Sequence, residues 1–326
     1  MNVRLTVAGA LLALLALASA SALAAGTFPE RPITMVVPFV AGGSTDVLAR
    51  ALVPVMEKYL GNNARIIVLN RPGASGDLGM SYIAKAPADG YTFGFITSPV
   101  VLTVPIASKT SYTYKSFDLI GNVVDDPCGF SVHSDSQIKT MADLVAYARA
   151  HPGEVTVGTT GAGSDDHLAM LLLEKAAGIK LSHIPFKGSA EVRTALLGKV
   201  IDVAAINVSE GVSFQLAGTP LRNLGQASAE RSKLAPGVPT FKEQGYDIDI
   251  SAIRALGAPK DLPPDVRQKL VKALEQTLAD PALQHQVSAV LFQPVRYMSP
   301  SQLATAFDAL NPKFRQLWTE VPWVDK

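Results

Sequence analysis

From Arg31 onward, short apolar and β-branched runs alternate with stretches patterned as amphipathic helices. No other feature of the sequence constrains the fold as strongly. Ile33–Pro38 reads as a strand; a glycine-rich turn follows, and Val47, Leu48, Ala51, Leu52 and Val55 then fall on one helical face. Ile66–Leu69 and Tyr91–Ile96 read as the second and third strands, with a short helical segment at Ser81–Ala86 between them. A second unit of the same grammar begins after Val123. Its strands are expected at Phe130–Val132, Val155–Gly158, Leu181–Ile184 and Ile201–Ile206, and its helices at Met141–Ala150, Leu168–Ala177 and Ala190–Leu197. Strand–helix–strand alternation argues for doubly wound α/β architecture with a mostly parallel sheet. The last third turns helical. Pro263-Pro264 opens a helix bearing Val266, Leu270, Leu274 and Leu278 on one face, and proline suits a first turn. Ser299-Pro300 opens another, which Pro312 is expected to kink or interrupt.

The 326 residues fit two lobes or one large domain, and 48% hydrophobic content suffices for a buried core. The first 25 residues read as a signal peptide: Arg4, an apolar stretch from Leu5, and Ala22-Leu23-Ala24 as the small-x-small cleavage pattern. An uncleaved anchor is the competing reading, because Leu5–Ala25 is about long enough to span a bilayer. The Ala/Ser-rich second half favours cleavage. Without residues 1–25 the chain has 28 basic and 28 acidic residues, so no net charge marks it for nucleic acid or an anionic membrane. Cys128 is the sole cysteine, so no intramolecular disulfide is available and the core must supply the stability.

Two glycine turns stand between a strand and a helix, at Ala41-Gly42-Gly43-Ser44-Thr45 and Thr159-Thr160-Gly161-Ala162-Gly163-Ser164. A third glycine loop, Asn70–Gly76, follows the second strand. Such turns let backbone approach a ligand and aim unpaired N–H groups at it, and a helix N-terminus adds a partial positive charge. The bland alternative is that the glycines only make tight turns while Ser44 and Ser164 are helix caps. Gly43–Ala49 also aligns with Gly163–Ala169, both opening an amphipathic helix, and the pair of loops suits a solute with carboxylates at two ends. Neither loop contains Lys or Arg, so anion recognition is expected to rest on fixed dipoles without a cationic clamp.

Enzyme readings find less support. Gly161–Asp166 lacks the final glycine of a dinucleotide fingerprint, no phosphate-binding P-loop pattern occurs, and Gly73–Asp77 misses G-x-S-x-G at its last position. His133, His151, His167, His183 and His285 are scattered, none paired at metal-ligand spacing. His167 lies one turn past the second loop, within reach of a ligand, though a histidine there more often packs. An exported hydrolase using Ser75 or Ser164 remains as a reading from another class.

At Phe39–Asp46 the chain resembles the Bug receptors, the substrate-binding proteins of tripartite tricarboxylate transporters. The likeness continues through Asn70–Gly76, Lys85–Thr92, His183–Ala190, Val238–Phe241 and Ala258-Pro259. It implies a two-lobed periplasmic binding protein-like fold of type II, with lobe one at 26–123 plus 228–326 and lobe two at 124–227. A two-crossing hinge near Asn122 and Ala227 would join them. It also implies a small carboxylate held in the interlobe cleft. Phe39, Gly42, Gly43, Ser44 and Thr45 would take one carboxylate, with Asp46, Gly76 and Ser98 adding to that wall. Thr160, Gly161, Gly163 and Ser164 would approach from the other lobe, with Asn207 in the cleft. Ile206 stands where many relatives carry Asp, and Ser251-Ala252-Ile253-Arg254 replaces an aromatic-rich stretch, so Arg254 is the residue most able to upset the dipole account. The expected protein is a periplasmic, monomeric, non-enzymatic receptor with neither metal nor cofactor, handing its solute to membrane subunits. Presentation of the solute to a sensor protein is the alternative.

Overall fold

One strand belongs to two sheets. The computed structural model describes residues 28–324, so the expected signal peptide lies outside the described residues. The elements are β1 (Ile33–Val37), α1 (Ser44–Leu60), β2 (Ile66–Asn70), α2 (Asp77–Lys85), β3 (Thr92–Ser98), α3 (Val100–Ala107) and β4 (Phe117–His133). They continue with α4 (Met141–Ala150), β5 (Thr156–Thr159), α5 (Asp165–Ala177), β6 (Ser182–Pro185), α6 (Ser189–Leu197), β7 (Val203–Asn207), α7 (Val208–Leu216) and β8 (Leu221–Gln226). The last are β9 (Ser251–Pro259), α8 (Pro264–Ala279), β10 (Val295–Met298) and α9 (Pro300–Glu320).

The strand order is β2-β1-β3-β9-β4-β7-β5-β6, with β8 and β10 also paired to β4. Residues Phe117–Pro127 of β4 pair with β9, while Cys128–His133 pair with β7 and β8. The result is a two-lobed α/β fold whose sheets meet on β4. The parallel sheet expected from the alternation is confined to β2-β1-β3 and β6-β5-β7. Every pairing of β4 and β9 is antiparallel, so the whole is mixed rather than mostly parallel. Among the described residues no helix is long and apolar enough to cross a membrane.

Three backbone bonds knit the crossing: Cys128 N–H donates to Ile250 O, Ala227 N–H to Cys128 O, and Ile250 N–H to Ala227 O, at 2.7–3.1 Å. Between Ala227 and Ile250 the chain stays bonded to β8, through Gln226 N–H to Pro239 O and Phe241 N–H to Gln226 O. It enters the first sheet only at Ser251.

The helices form where apolar period and caps coincide. The helix expected at Met141–Ala150 has those bounds, held by a reciprocal bond pair between Thr140 and Asp143. In α8, Val266, Leu270, Leu274 and Leu278 are all buried, packing with Leu48, Leu52, Phe93 and Phe95 of the first lobe's core. α9 runs unbroken through Pro312 to Glu320, which corrects the expected interruption. Its buried residues, Leu303, Phe307 and Phe314, are joined by half-buried Leu310, Leu317 and Trp318, packed in one core with them.

Candidate functional site

Four helices begin around one cavity between the sheets. Gly43, Ser44 and Thr45 open α1; Asp165 opens α5; Gly188 and Ser189 open α6; and Asn207 precedes α7. Phe39, Thr97, Thr160, Ala252 and Arg254 complete the lining. Each N-terminus carries roughly half a positive charge, and their convergence makes the cavity attractive to anions. The cavity measures about 30 Å3. That is room for one or two waters, so any larger solute enters by parting the walls.

The walls touch across the gap. Ser44 N–H donates to Ser189 Oγ at 3.3 Å, Thr103 Oγ1–H to Gly163 O at 2.7 Å, and Val40 N–H to Lys187 O at 3.4 Å. Glycines permit this approach at two left-handed positions. A Cβ on Gly161 (φ +128°) would lie 2.6 Å from Ser75 Oγ, and one on Gly163 (φ +77°) 2.8 Å from Thr103 Oγ1.

Arg254 overturns the expectation of a site without a cation. It projects from β9, is 2% exposed, and donates to Asp126 Oδ2 at 3.0 Å, Ser44 Oγ at 2.8 Å and Asn207 Oδ1 at 2.5 Å. It thereby bonds α1, β4 and the β7–α7 junction at once. Asp126 Oδ2 also accepts from Ser209 Oγ–H at 2.5 Å. Two polar atoms of lining residues remain buried without a partner, Arg254 Nε and Thr97 Oγ1.

The matched loops differ by one position. In the first, Gly43 is the N-cap and Ser44 the first helical residue, so the Ser44 hydroxyl is left for Arg254. In the second, Ser164 is itself the N-cap, and its Oγ accepts from His167 N–H at 3.2 Å. Ser44 therefore lines the cavity, whereas Ser164 is a buried cap outside it. Ser164→Ala is expected to lower unfolding free energy by about 1 kcal/mol, the usual worth of a cap. Ser44→Ala should leave the fold largely intact and instead weaken ligand binding by about 0.5–1.5 kcal/mol. Paired unfolding curves and calorimetry check this, and loss of affinity in the Ser164 variant alone would reverse the assignment.

Of the other sequence candidates, Phe39, Gly43, Thr45, Thr160 and Asn207 line the cavity. Gly42, Asp46, Gly76, Ser98, Gly161 and Gly163 do not. Asp46 braces its loop: its carboxylate accepts from Gly42 N–H, Arg50 and Asn70. Burial opposes its ionised form, but these donors prevail and hold the carboxyl below its ordinary range. Asp166 plays the matching part in the second loop, accepting from Thr160 N–H and Oγ1–H. His167 packs: its ring stacks on His183 with centroids 3.6 Å apart, and burial keeps it neutral. No histidine ring is bonded to Ser75 or Ser164 among the described residues. Gly188, Ser189, Thr97 and Asp165 were missed. Gly188-Ser189 repeats the strand–glycine–serine–helix grammar of the two loops already singled out, and that was the available signal.

Residues 48–313 match the family model described as "Tripartite tricarboxylate transporter family receptor". The chain is 35% identical over 280 residues to Protein BugT of Bordetella pertussis, covering 85% of each chain. It superposes on the structure of the periplasmic binding protein BugD with TM-score 0.85 and 31% identity, over 92% of this chain and all of that one. A Rhodopseudomonas palustris protein solved with adipate gives TM-score 0.83 and 27% identity over 90% and 97% of the two chains. MatC from the same organism, solved with bound malate, gives 0.82 and 25% over 89% and 99%. The family match over most of the chain, joined to the likeness in fold, decides the matter: the chain belongs to the tripartite tricarboxylate transporter receptor family.

Proposed function

We propose that the chain is a periplasmic receptor that captures a small carboxylate in the cleft and delivers it to the membrane subunits of a tripartite transporter. The observation that carries this reading is the convergence of four helix N-termini and one guanidinium on a single cavity between two sheets. That arrangement stabilises negative charge. The adipate and malate complexes of its relatives support the same ligand class. Capture proceeds by closure: the bonds from Ser44 to Ser189 and Thr103 to Gly163 form only when the walls approach, so a ligand that bridges the walls favours the closed form. The lobes would divide within β4, and the entry of the chain into the first sheet at Ser251 supports a return crossing between Ala227 and Ser251.

A thermal-shift screen against malate, adipate, citrate and aromatic carboxylates tests the class, since a ligand binding only the native state raises its stability by about 2.7 kcal/mol at 100-fold excess over Kd. Gly43→Val tests the place. Gly43 has an ordinary φ of −81°, and its Cβ would stand 3.0 Å from Ser189 Oγ, so valine wedges the walls apart without straining the backbone. Affinity is expected to fall about tenfold or more, near 1.4 kcal/mol, with the free protein's melting temperature little changed. Unaltered affinity in this variant would remove the cavity as the binding site.

A further inference from the structure

Of the twelve residues lining the cavity, two carry a full charge, Arg254 and Asp165, and their signs are opposite. Asn207 lies between them. Its Nδ2–H donates to Asp165 Oδ2 at 2.8 Å, and its Oδ1 accepts from Arg254 at 2.5 Å. One carboxamide spans the gap, so the bonded nitrogen of Arg254 and oxygen of Asp165 are at most about 8 Å apart. The nitrogen and oxygen of a carboxamide sit about 2.3 Å apart, close to the spacing of the amino nitrogen and carboxylate oxygen in an α-amino acid. The cleft therefore presents an acceptor and a donor set for a ligand with adjacent positive and negative groups.

The surrounding charges sharpen this. Asp126, which is not among the lining residues, already pairs with Arg254 at 3.0 Å, and Asp166 and Glu210 are buried as well. Burial pushes all four carboxyls, Asp126, Asp165, Asp166 and Glu210, above their ordinary range. A ligand bearing only carboxylates would set further negative charge against Asp165. Buried like charges without compensation are costly, whereas an ammonium group placed there is paired at once. The unpartnered Arg254 Nε and Thr97 Oγ1 leave donors for the ligand's acid end.

We propose that Asp165 forms a cation subsite, and that the ligand is an α-amino acid whose ammonium meets Asp165 while its carboxylate meets Arg254 and the Ser44–Thr45 amides. The inference rests on the carboxylate reading above and narrows it.

Calorimetry on the mature protein, with matched probes differing only by the amino group, tests it: L-alanine against propionate, L-aspartate against succinate, and L-glutamate against glutarate. At least one amino acid is expected to bind about tenfold or more tightly than its partner, the scale of one charge-assisted contact. Asp165→Asn should lower that amino acid's affinity by a similar factor and leave the plain acid no weaker. Plain acids binding as well as amino acids in every pair would overturn the subsite while leaving carboxylate capture standing. Binding abolished by EDTA would overturn it in favour of a divalent cation at the same acidic residues. If neither series binds and the wider carboxylate screen also fails, both readings fall together.

Discussion

Replacing Arg254 with methionine is expected to lower the unfolding free energy by about 3–5 kcal/mol, because it strands a buried carboxylate rather than merely deleting a contact. Asp126 is fully buried, and its Oδ2 depends on Arg254 and Ser209. With the guanidinium gone, the acid must ionise with only the Ser209 hydroxyl to offset its charge, or hold a proton at neutral pH. Equilibrium denaturation measures the loss. The same argument predicts that adding Asp126→Leu restores a large part of it, since two apolar side chains leave no orphaned charge. A double variant as unstable as the sum of the singles would show that the two side chains are not coupled and that no stranded charge underlies the loss. Ligand affinity should be lost in both variants, because Arg254 also faces the cavity.

The other large effect is at Gly94. It lies in β3 with β1 on one side and β9 on the other, opposite Val36 and Gly257. A Cβ there would stand 2.3 Å from Val36 O and 2.8 Å from Val36 Cβ. The obstacle includes main chain of an adjoining strand, so no rotamer change relieves it, and the sheet must open at its centre. Gly94→Ala is expected to cost about 3–5 kcal/mol, above ordinary overpacking and within the range reserved for strained core positions. Thermal unfolding and soluble yield report it. A melting temperature within a few degrees of the parent protein would mean that β1 and β3 slide past one another more freely than the packing suggests.

The sequence made the parallel strands and their helices legible, because runs such as Ile33–Val37 and Ile66–Asn70 are short, apolar and bounded by turns. It hid most of the central antiparallel strands: only Phe130–Val132 of β4 is legible, and β9 is not. β4 holds Asp118, Asn122, Asp125 and Asp126 among its apolar residues, and β9 holds Arg254. Polar residues in a central strand erase the apolar run that marks it; here Asp126 and Arg254 are buried and paired at the site, while Asp118 is paired with Lys260 and Asp125 with Arg296. The site was half visible for a related reason. Glycine turns before helices announce themselves, so Gly43, Ser44, Thr45 and Thr160 were found. Asp165 was passed over as one of two adjacent acids, and only the fold shows that Asp166 turns back onto Thr160 while Asp165 faces the cavity. The one-residue offset between the loops is likewise invisible in the alignment, since it depends on which residue takes the extended conformation before the helix.

Hinges are usually pictured as loops, but the junction here is sheet. At Cys128 the chain passes from one sheet to the other while hydrogen-bonded, with Ala227 and Ile250 completing the weave. Such a junction behaves as a leaf spring: resistance rises with angle, and motion comes from changed twist distributed over several residues. Its compliance is uneven. The ladder between β4 and β9 slips register twice just before the crossing, between Leu119 and Gly121 and between Asn122 and Val124, where bulged backbone is less constrained by its neighbour. Flexure should therefore gather at residues 119–124, where two slips fall close together, rather than beyond Cys128, where the ladder with β8 slips once, between Phe130 and Ser131. A receptor hung in this way should have no slack position: any parting or closing of its walls is worked against the twist of one continuous strand.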